Sequence, residues 1–368
     1  MSGRVLTDDE RRDWLRLSRT DGVGPVAFAG LLARFGTATR ALERVPELSR
    51  RAGRGAPMTP PSPDAAQAEL DRGAALGARL LAACEPAFPP LLAALDPAPP
   101  LIWVRGDPGL LSRPCVAVVG ARIASAAGQR FARGLAKDLG EAGQTVVSGL
   151  ARGIDGAAHE GALPTGTAAV LGGGVDDVYP PEHAELYARI VERGCIVSES
   201  PVGHTAKARD FPRRNRLISG LSRAIVVVEA ELRSGSLITA RLAAEQGREV
   251  LSVPGSPLDP RSKGTNDLIR QGAALCEGAE DVLRALSGLR TLREPQGDLF
   301  SWNGGEPEEP EVDAARDRVE ALLTDAPVSR DELARLAGVA PPVAFAALVE
   351  LELAGKARLL PGGTACRG

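Results

Sequence analysis

Seven short apolar runs follow one another between residues 101 and 255: LIWVRG, CVAVVG, QTVVSG, TAAVLGGG, CIVSES, AIVVVEA and EVLSVPG. Most are continuous and rich in Val and Ile, the pattern of strands covered on both faces. Between them lie AAGQRFARGLAKDLGEAG, IDGAAHEGAL, EHAELYARIVERG and SLITARLAAEQG, whose apolar positions recur with helical spacing. Parallel strands need long crossovers, and a helix is the usual one. The alternation therefore predicts an α/β fold, a doubly wound parallel sheet over residues 80–292.

The flanks read differently. Residues 1–75 predict a small helical domain, with DDERRDWLRLSRT and VAFAGLLARFG as helices and a break at DGVGP. The G-V-G turn at 22–24 is similar to the hairpin of helix-hairpin-helix modules, whose backbone N–H groups can meet a phosphate. Residues 52–63 read as a loop. Residues 293–311, acidic and rich in Gly and Pro, read as a linker, and Phe300 and Trp302 within it would suit a short docking motif. Residues 312–368 predict three helices and a short extended pair, the layout of a winged helix, with Ser329 and Glu332 as a capping box and Gly355 closing the third helix. That third helix carries Glu350 and Glu352 and almost no basic residue, so a protein-contact or regulatory role is expected over reading a duplex.

The chain of 368 residues has a net charge of −3, so nucleic-acid binding would need positive charge concentrated locally. Cys84, Cys115, Cys195, Cys276 and Cys366 form no C-x-x-C pair and sit largely in apolar runs, as reduced buried thiols do. His159, His183 and His204 lie far apart in the sequence, away from any Cys, so no metal site is expected. The charged start MSGRVLTDDERRDW lacks the apolar core of a secretory signal, and no run is long enough to span a membrane, so a cytoplasmic protein is expected.

Ligands of open parallel sheets bind beyond the carboxyl ends of the strands. Residues there include Gly120, Ala121 and Arg122; then Ser148, Gly149, Arg152, Gly153 and Asp155; then Gly172, Gly173 and Gly174; then Glu229, Ser234, Gly235, Ser236 and Thr239. Glycines let backbone approach a ligand, helix N-termini favour anions, and arginine suits phosphate, so this edge predicts phosphate binding. The stretch Lys207-Ala-Arg-Asp-Phe-Pro-Arg-Arg-Asn-Arg216 adds five basic residues against one acid. Lys207, Arg213, Arg214 and Arg216 with Phe211 among them offer charge for a backbone and a ring for a base, the needs of single-strand binding. Asp155 is expected to cap a helix beginning at Gly156, and Glu229 to order a neighbouring arginine. No G-x-G-x-x-G, Walker lysine, G-x-S-x-G or H-E-x-x-H is present, so neither an enzyme nor a cofactor is expected.

The order GAR, SGLARGIDGAAHEGAL, GGGVDDVYP, SESP, FPRRNRLISGLS, VVVEAELRSGSLITARLAAEQGREV, VPG and GTNDLIRQGA resembles the DNA-processing protein A (DprA/Smf) family over residues 85–290. The resemblance implies an extended Rossmann-like domain that dimerises, an N-terminal SAM-like domain and a C-terminal winged helix. It also implies binding of single-stranded DNA during natural transformation and loading of a RecA-type recombinase. It places the phosphate-gripping arginine of the family's G-S-R motif at Arg122, F-P-x-R-N at Phe211 to Asn215, and S-G-S-x-x-T at Ser234 to Thr239. Ala121 stands where the family usually has Ser, which removes one hydroxyl donor. Two other readings compete: a phosphoribohydrolase on a related core, whose P-G-G-x-G-T-x-x-E order is not matched here, and a duplex-reading regulator using the winged helix.

Overall fold

The computed structural model describes residues 4–53, 56–288, 309–360 and 362–368. Each of the seven apolar runs contains a strand, and two strands that the runs do not predict extend the sheet at its ends. In chain order the N-terminal helices are α1 (Asp8–Ser18), α2 (Pro25–Phe35), α3 (Ala38–Arg51) and α4 (Pro63–Ala75). Then come β1 (Ala78–Ala82), α5 (Pro90–Ala93), β2 (Leu101–Gly106), β3 (Cys115–Val119), α6 (Ala126–Glu141), β4 (Thr145–Ser148), α7 (Ile154–Ala162) and β5 (Thr167–Val170). These are followed by α8 (Ala184–Arg193), β6 (Cys195–Ser198), α9 (Asp210–Leu221), β7 (Ala224–Val227), α10 (Gly235–Glu245), β8 (Glu249–Ser252), α11 (Lys263–Arg270), β9 (Ala274–Leu275) and α12 (Ala279–Gly288).

The sheet order is β1-β2-β6-β5-β4-β3-β7-β8-β9. From β6 to β9 every pairing is parallel, whereas β2 runs antiparallel to β6 and to β1. LIWVRG is thus an antiparallel edge on an otherwise parallel sheet, an arrangement common in doubly wound folds. Alternate residues of one strand feed opposite cores. Val116 and Val118 pack with Leu135, Leu139 and Ile154 on the α6–α7 side, while Ala117 and Val119 pack with Leu217, Ile218 and Ala243 on the α9–α10 side. The chain steps outward from β3 through β4, β5 and β6, then returns to place β7 on the other side of β3. That reversal opens a crevice beyond the ends of β3 and β7.

The C-terminal block holds α13 (Glu309–Leu322), β10 (Val328–Ser329), α14 (Arg330–Ala337), α15 (Pro341–Leu353), β11 (Ala357–Leu360) and β12 (Thr364–Arg367), a winged helix. Helix α13 starts inside the stretch read as a linker; the rest of that stretch, with Phe300 and Trp302, lies outside the described residues. Of the expected capping box one half is present, the Glu332 N–H donating to Ser329 Oγ at 3.1 Å. Helix α15 packs against α2 and α3, and its residues Ala346 to Leu351 are all buried. Gly30 of α2 permits this approach, since a Cβ there would press on Val349 and Phe345. At the contact, buried Glu350 accepts from Arg34 of α2 at 2.8 Å and from Arg316 of α13 at 2.5 Å. The helix that would enter a major groove is therefore spent on a contact inside the chain. Among the described residues no single helix is long and apolar enough to cross a membrane, and no cluster of three His, Cys, Asp or Glu could hold a metal.

Candidate nucleic-acid interface

A groove of about 780 Å³ lies over the switch point. Its walls are the loop after β3 (Gly120 to Ile123), the start of α9 with Phe211 and Asn215, and the start of α10 with Ser234 to Thr239. Asp155 and Arg214 form part of its lining, and both are buried.

The α10 wall is built by its own hydroxyls. Ser234 caps the helix, accepting from the Ser236 N–H at 3.4 Å and sharing a 2.7 Å hydrogen bond with Ser236 Oγ. Thr239 Oγ1 donates back to the Gly235 carbonyl at 3.5 Å, which also accepts from Asn215 Nδ2 at 3.4 Å. Ser236 and Thr239 are buried at the groove wall, and these hydrogen bonds shape the helix start. Gly235 is exposed at the groove.

The loop after β4 is a clamp. Ser148 is fully buried, its hydroxyl donating to the Val118 carbonyl at 2.6 Å. Asp155 accepts from the amides of Gly149 (3.1 Å) and Ala151 (3.4 Å). This corrects its expected role, since Asp155 lies within α7 and ties down the preceding turn, where Leu150 adopts φ +56°. The Gly149 amide, expected to face a ligand, is thereby consumed. Gly153 has φ +75°, and a Cβ there would fall on the carbonyl oxygens of Ala121 and Arg122. With the Ile154 N–H donating to Ala121 O at 3.2 Å, the loop fixes the backbone that carries Arg122. Ala121 thus contributes through its carbonyl.

Glu229 also differs from expectation. Among the described residues it pairs with no arginine; its carboxylate accepts from Ser125 N–H (2.9 Å) and Oγ (2.6 Å) at the start of α6. The helix end where a dinucleotide fold would seat its pyrophosphate is already filled by a carboxylate of the chain itself.

The basic residues separate into free and engaged. Arg122 is exposed, forms no ion pair among the described residues, and its guanidinium lies 5.6 Å from the centre of the Phe211 ring. Phe211 in turn meets Tyr179 at 5.4 Å between ring centres. Tyr179, exposed and following the triple glycine, was missed by the sequence reading; an aromatic in the GGGVDDVYP run of a chain with 3% aromatics was the available signal. Arg233, exposed on the α10 side, was missed because it follows two acids, Glu229 and Glu231, in the sequence. Arg152 is exposed and bound to Glu182 at 2.5 Å. Such a surface pair is worth little and can exchange for a phosphate.

Two arginines do not fit the expected role. Arg214 points inward with Leu217, Ile218 and Leu221, and its guanidinium donates to the carbonyls of Gly149 (2.8 Å) and Val170. Burial lowers it to about 10, so it stays charged at neutral pH, and burial likewise pushes the neighbouring Asp155 upward against the pull of the Arg214 charge. It is a structural cation under the groove. Arg216 is bound to Glu199. Lys207 is exposed, its amide donating to Asp210 at 2.8 Å, and exposed Arg213 faces away from the groove.

Known proteins resemble the chain along most of its length. The model of DNA recombination-mediator protein A matches residues 79–287, that of a DprA-like N-terminal HHH domain residues 8–71, and that of a DprA winged helix domain residues 305–363. Protein Smf of Escherichia coli is 42% identical over 75% of this chain and 74% of its own length. DNA processing protein DprA of Streptococcus pneumoniae is 43% identical over 53% of this chain and 70% of its own. The crystal structure of DNA processing protein A from Streptococcus pneumoniae superposes with a TM-score of 0.63 at 31% identity, covering 76% of this chain and 98% of that one. A Helicobacter pylori DNA processing protein A, described by its single-stranded DNA binding mode, gives 0.53 at 30% identity over 57% of this chain and 96% of that one.

Proposed function

Because this chain belongs to the DNA recombination-mediator protein A (DprA/Smf) family, we propose that it binds single-stranded DNA in the switch-point groove, leaves it chemically unchanged, and delivers it to a RecA-type recombinase during transformation. The observation that carries this reading is the exposed Arg122, without an ion pair among the described residues and set over Phe211, with Tyr179 against the same ring. A cation beside two aromatic faces suits a phosphate next to an unstacked base. Arg233 and, once released from Glu182, Arg152 add charge on either side. The Helicobacter pylori relative described by its single-stranded DNA binding mode supports the same assignment.

We further propose a homodimer through the far end of the sheet. Beyond α10 and α11 the short strand β9 ends the sheet among the described residues, and Leu232, Ile238 and Leu275 are exposed near it. Sedimentation velocity that shows only a monomer at tens of micromolar would remove this part.

Fluorescence anisotropy of labelled oligo-dT, a matched duplex and a thymidine mononucleotide tests the main reading. Tight binding is expected for the single strand alone, weakening with salt at a log–log slope of about −0.7 per phosphate neutralised. Phe211→Ala is expected to weaken it by roughly 1–3 kcal/mol, the worth of one stacked base. Preference for the mononucleotide, with release of free base, would replace this reading by the phosphoribohydrolase one. Delivery to a recombinase is read separately. Strand exchange on a strand already covered by single-strand-binding protein should speed up, and no acceleration despite intact binding would refute delivery.

A further inference from the structure

Helix α9 divides two depressions. Phe211 and Asn215, one turn apart, line the switch-point groove. Arg209 and Arg213, also one turn apart but rotated from the first pair by roughly 200°, line a second cleft of about 470 Å³ on the other side of the helix. The opposite wall of that cleft is the hairpin Thr20 to Pro25. Gly22, at φ +86°, turns the chain there, and Gly24, the N-cap of α2, offers no side-chain hydrogen bond to the amides of the first turn, at the positive end of the helix.

The acids around the cleft are already taken. Glu199 holds Arg216, Asp210 accepts from His204 at 3.0 Å and from the Lys207 amide, and Asp21 is engaged as well. Arg19 is committed to Glu69 at 2.9 Å and to the Glu199 carbonyl at 3.1 Å, which fixes the hairpin against the sheet. Arg209 and Arg213 are left exposed and without an ion pair among the described residues. The two depressions meet over Arg214, whose buried Nε has no hydrogen-bond partner. Two exposed guanidinium groups facing a helix start whose N-cap is glycine fit a phosphodiester chain and suit no apolar segment.

We infer that this cleft is a second backbone subsite, where the phosphates of a strand leaving the groove over the start of α9 are held between Arg209, Arg213 and the hairpin. The inference rests on the groove binding single-stranded DNA. The division of labour is then stacking and phosphate contact in the groove, and charge alone in the cleft.

Oligo-dT strands of stepwise length, from about 4 to about 30 nucleotides, titrated against wild type and the Arg209→Glu/Arg213→Glu double variant, separate the two. Wild-type affinity should rise with length in two stages. The double variant should bind the shortest strands as wild type does and lose the second stage, about tenfold or more on the longest. Its salt slope on long strands should fall by about 1.4, two phosphates at about 0.7 each. Equal loss at every length would place these arginines in the groove and overturn the separate subsite; no loss at any length would remove the cleft from the path. A wild type that binds no single strand would overturn the groove reading itself. An unchanged melting temperature of the variant keeps these outcomes apart from misfolding.

Discussion

Arg122→Glu is expected to lower affinity for single-stranded DNA about 100-fold at physiological salt, and by the same factor for every base sequence. A charge-assisted hydrogen bond to a phosphate contributes about 1.5–3 kcal/mol, and reversing the charge adds repulsion to the loss. The effect is uniform because a phosphate contact carries no sequence information. Arg122→Lys should fall between, since an ammonium keeps the charge but not the planar fork or its packing over Phe211. Arg122 is exposed and unpaired among the described residues, so stability should change by no more than about 0.5 kcal/mol. The clamp beneath it makes the test clean: Gly153, Ile154 and Ala121 hold the loop by backbone alone, and none depends on the Arg122 side chain. Anisotropy with wild type and both variants reads the effect, and normal binding by Arg122→Glu would exclude the groove as the DNA site.

What could be read beforehand divides along physical lines. The central strands were legible because both faces are buried, which forces continuous Val and Ile. The edges were not: β1 carries the ordinary ARLLA, and β9 is two exposed residues whose pairing is decided by the sheet beside it. The position of Arg122 at the groove was legible from its place just after a strand, and the structure leaves it exposed there. Arg214 was misread because the basic run was treated as composition. Its helical spacing to Leu217, Ile218 and Leu221 shows an inward face, and only the strand-end carbonyls explain how a guanidinium can lie there. Ser236, Thr239 and Glu229 share one ambiguity. A polar side chain at a strand end serves either a ligand or the adjoining helix start, and sequence alone does not say which. Tyr179 meets Phe211 through the fold, with no spacing in the chain to announce it.

Glu350→Ala should destabilise the winged helix and its seat on α2 by about 3–5 kcal/mol, because it strands two buried guanidinium groups. Glu350 is 1% exposed and receives Arg34 and Arg316, whose side chains are 6% and 11% exposed. Arg316 and Arg51 both also reach Asp313, so part of the network survives, and the loss should appear as an earlier, separate calorimetric transition. Replacing Arg34, Arg316 and Glu350 together by apolar residues should recover much of the stability, as removing a whole buried ionic cluster often does. Recovery failing in the triple variant would show that these charges stabilise the interface beyond mutual compensation. Two residues on, Glu352 makes the opposite case: burial raises its pKa to about 7, and Oε2 has no partner among the described residues. A carboxyl whose folded pKa lies above its unfolded value of 4.5 binds the proton more tightly in the folded state, so stability falls as pH rises from 4.5 through 7. Glu352→Gln, which keeps an acceptor for the Leu359 N–H, should therefore match wild type near pH 4.5 and exceed it at pH 8 by on the order of 1–2 kcal/mol. Melting curves at the two pH values check the pair of variants together. Equal shifts for Glu350→Ala and Glu352→Gln would mean that burial alone, without the partnering arginines, sets what a carboxylate costs on this helix.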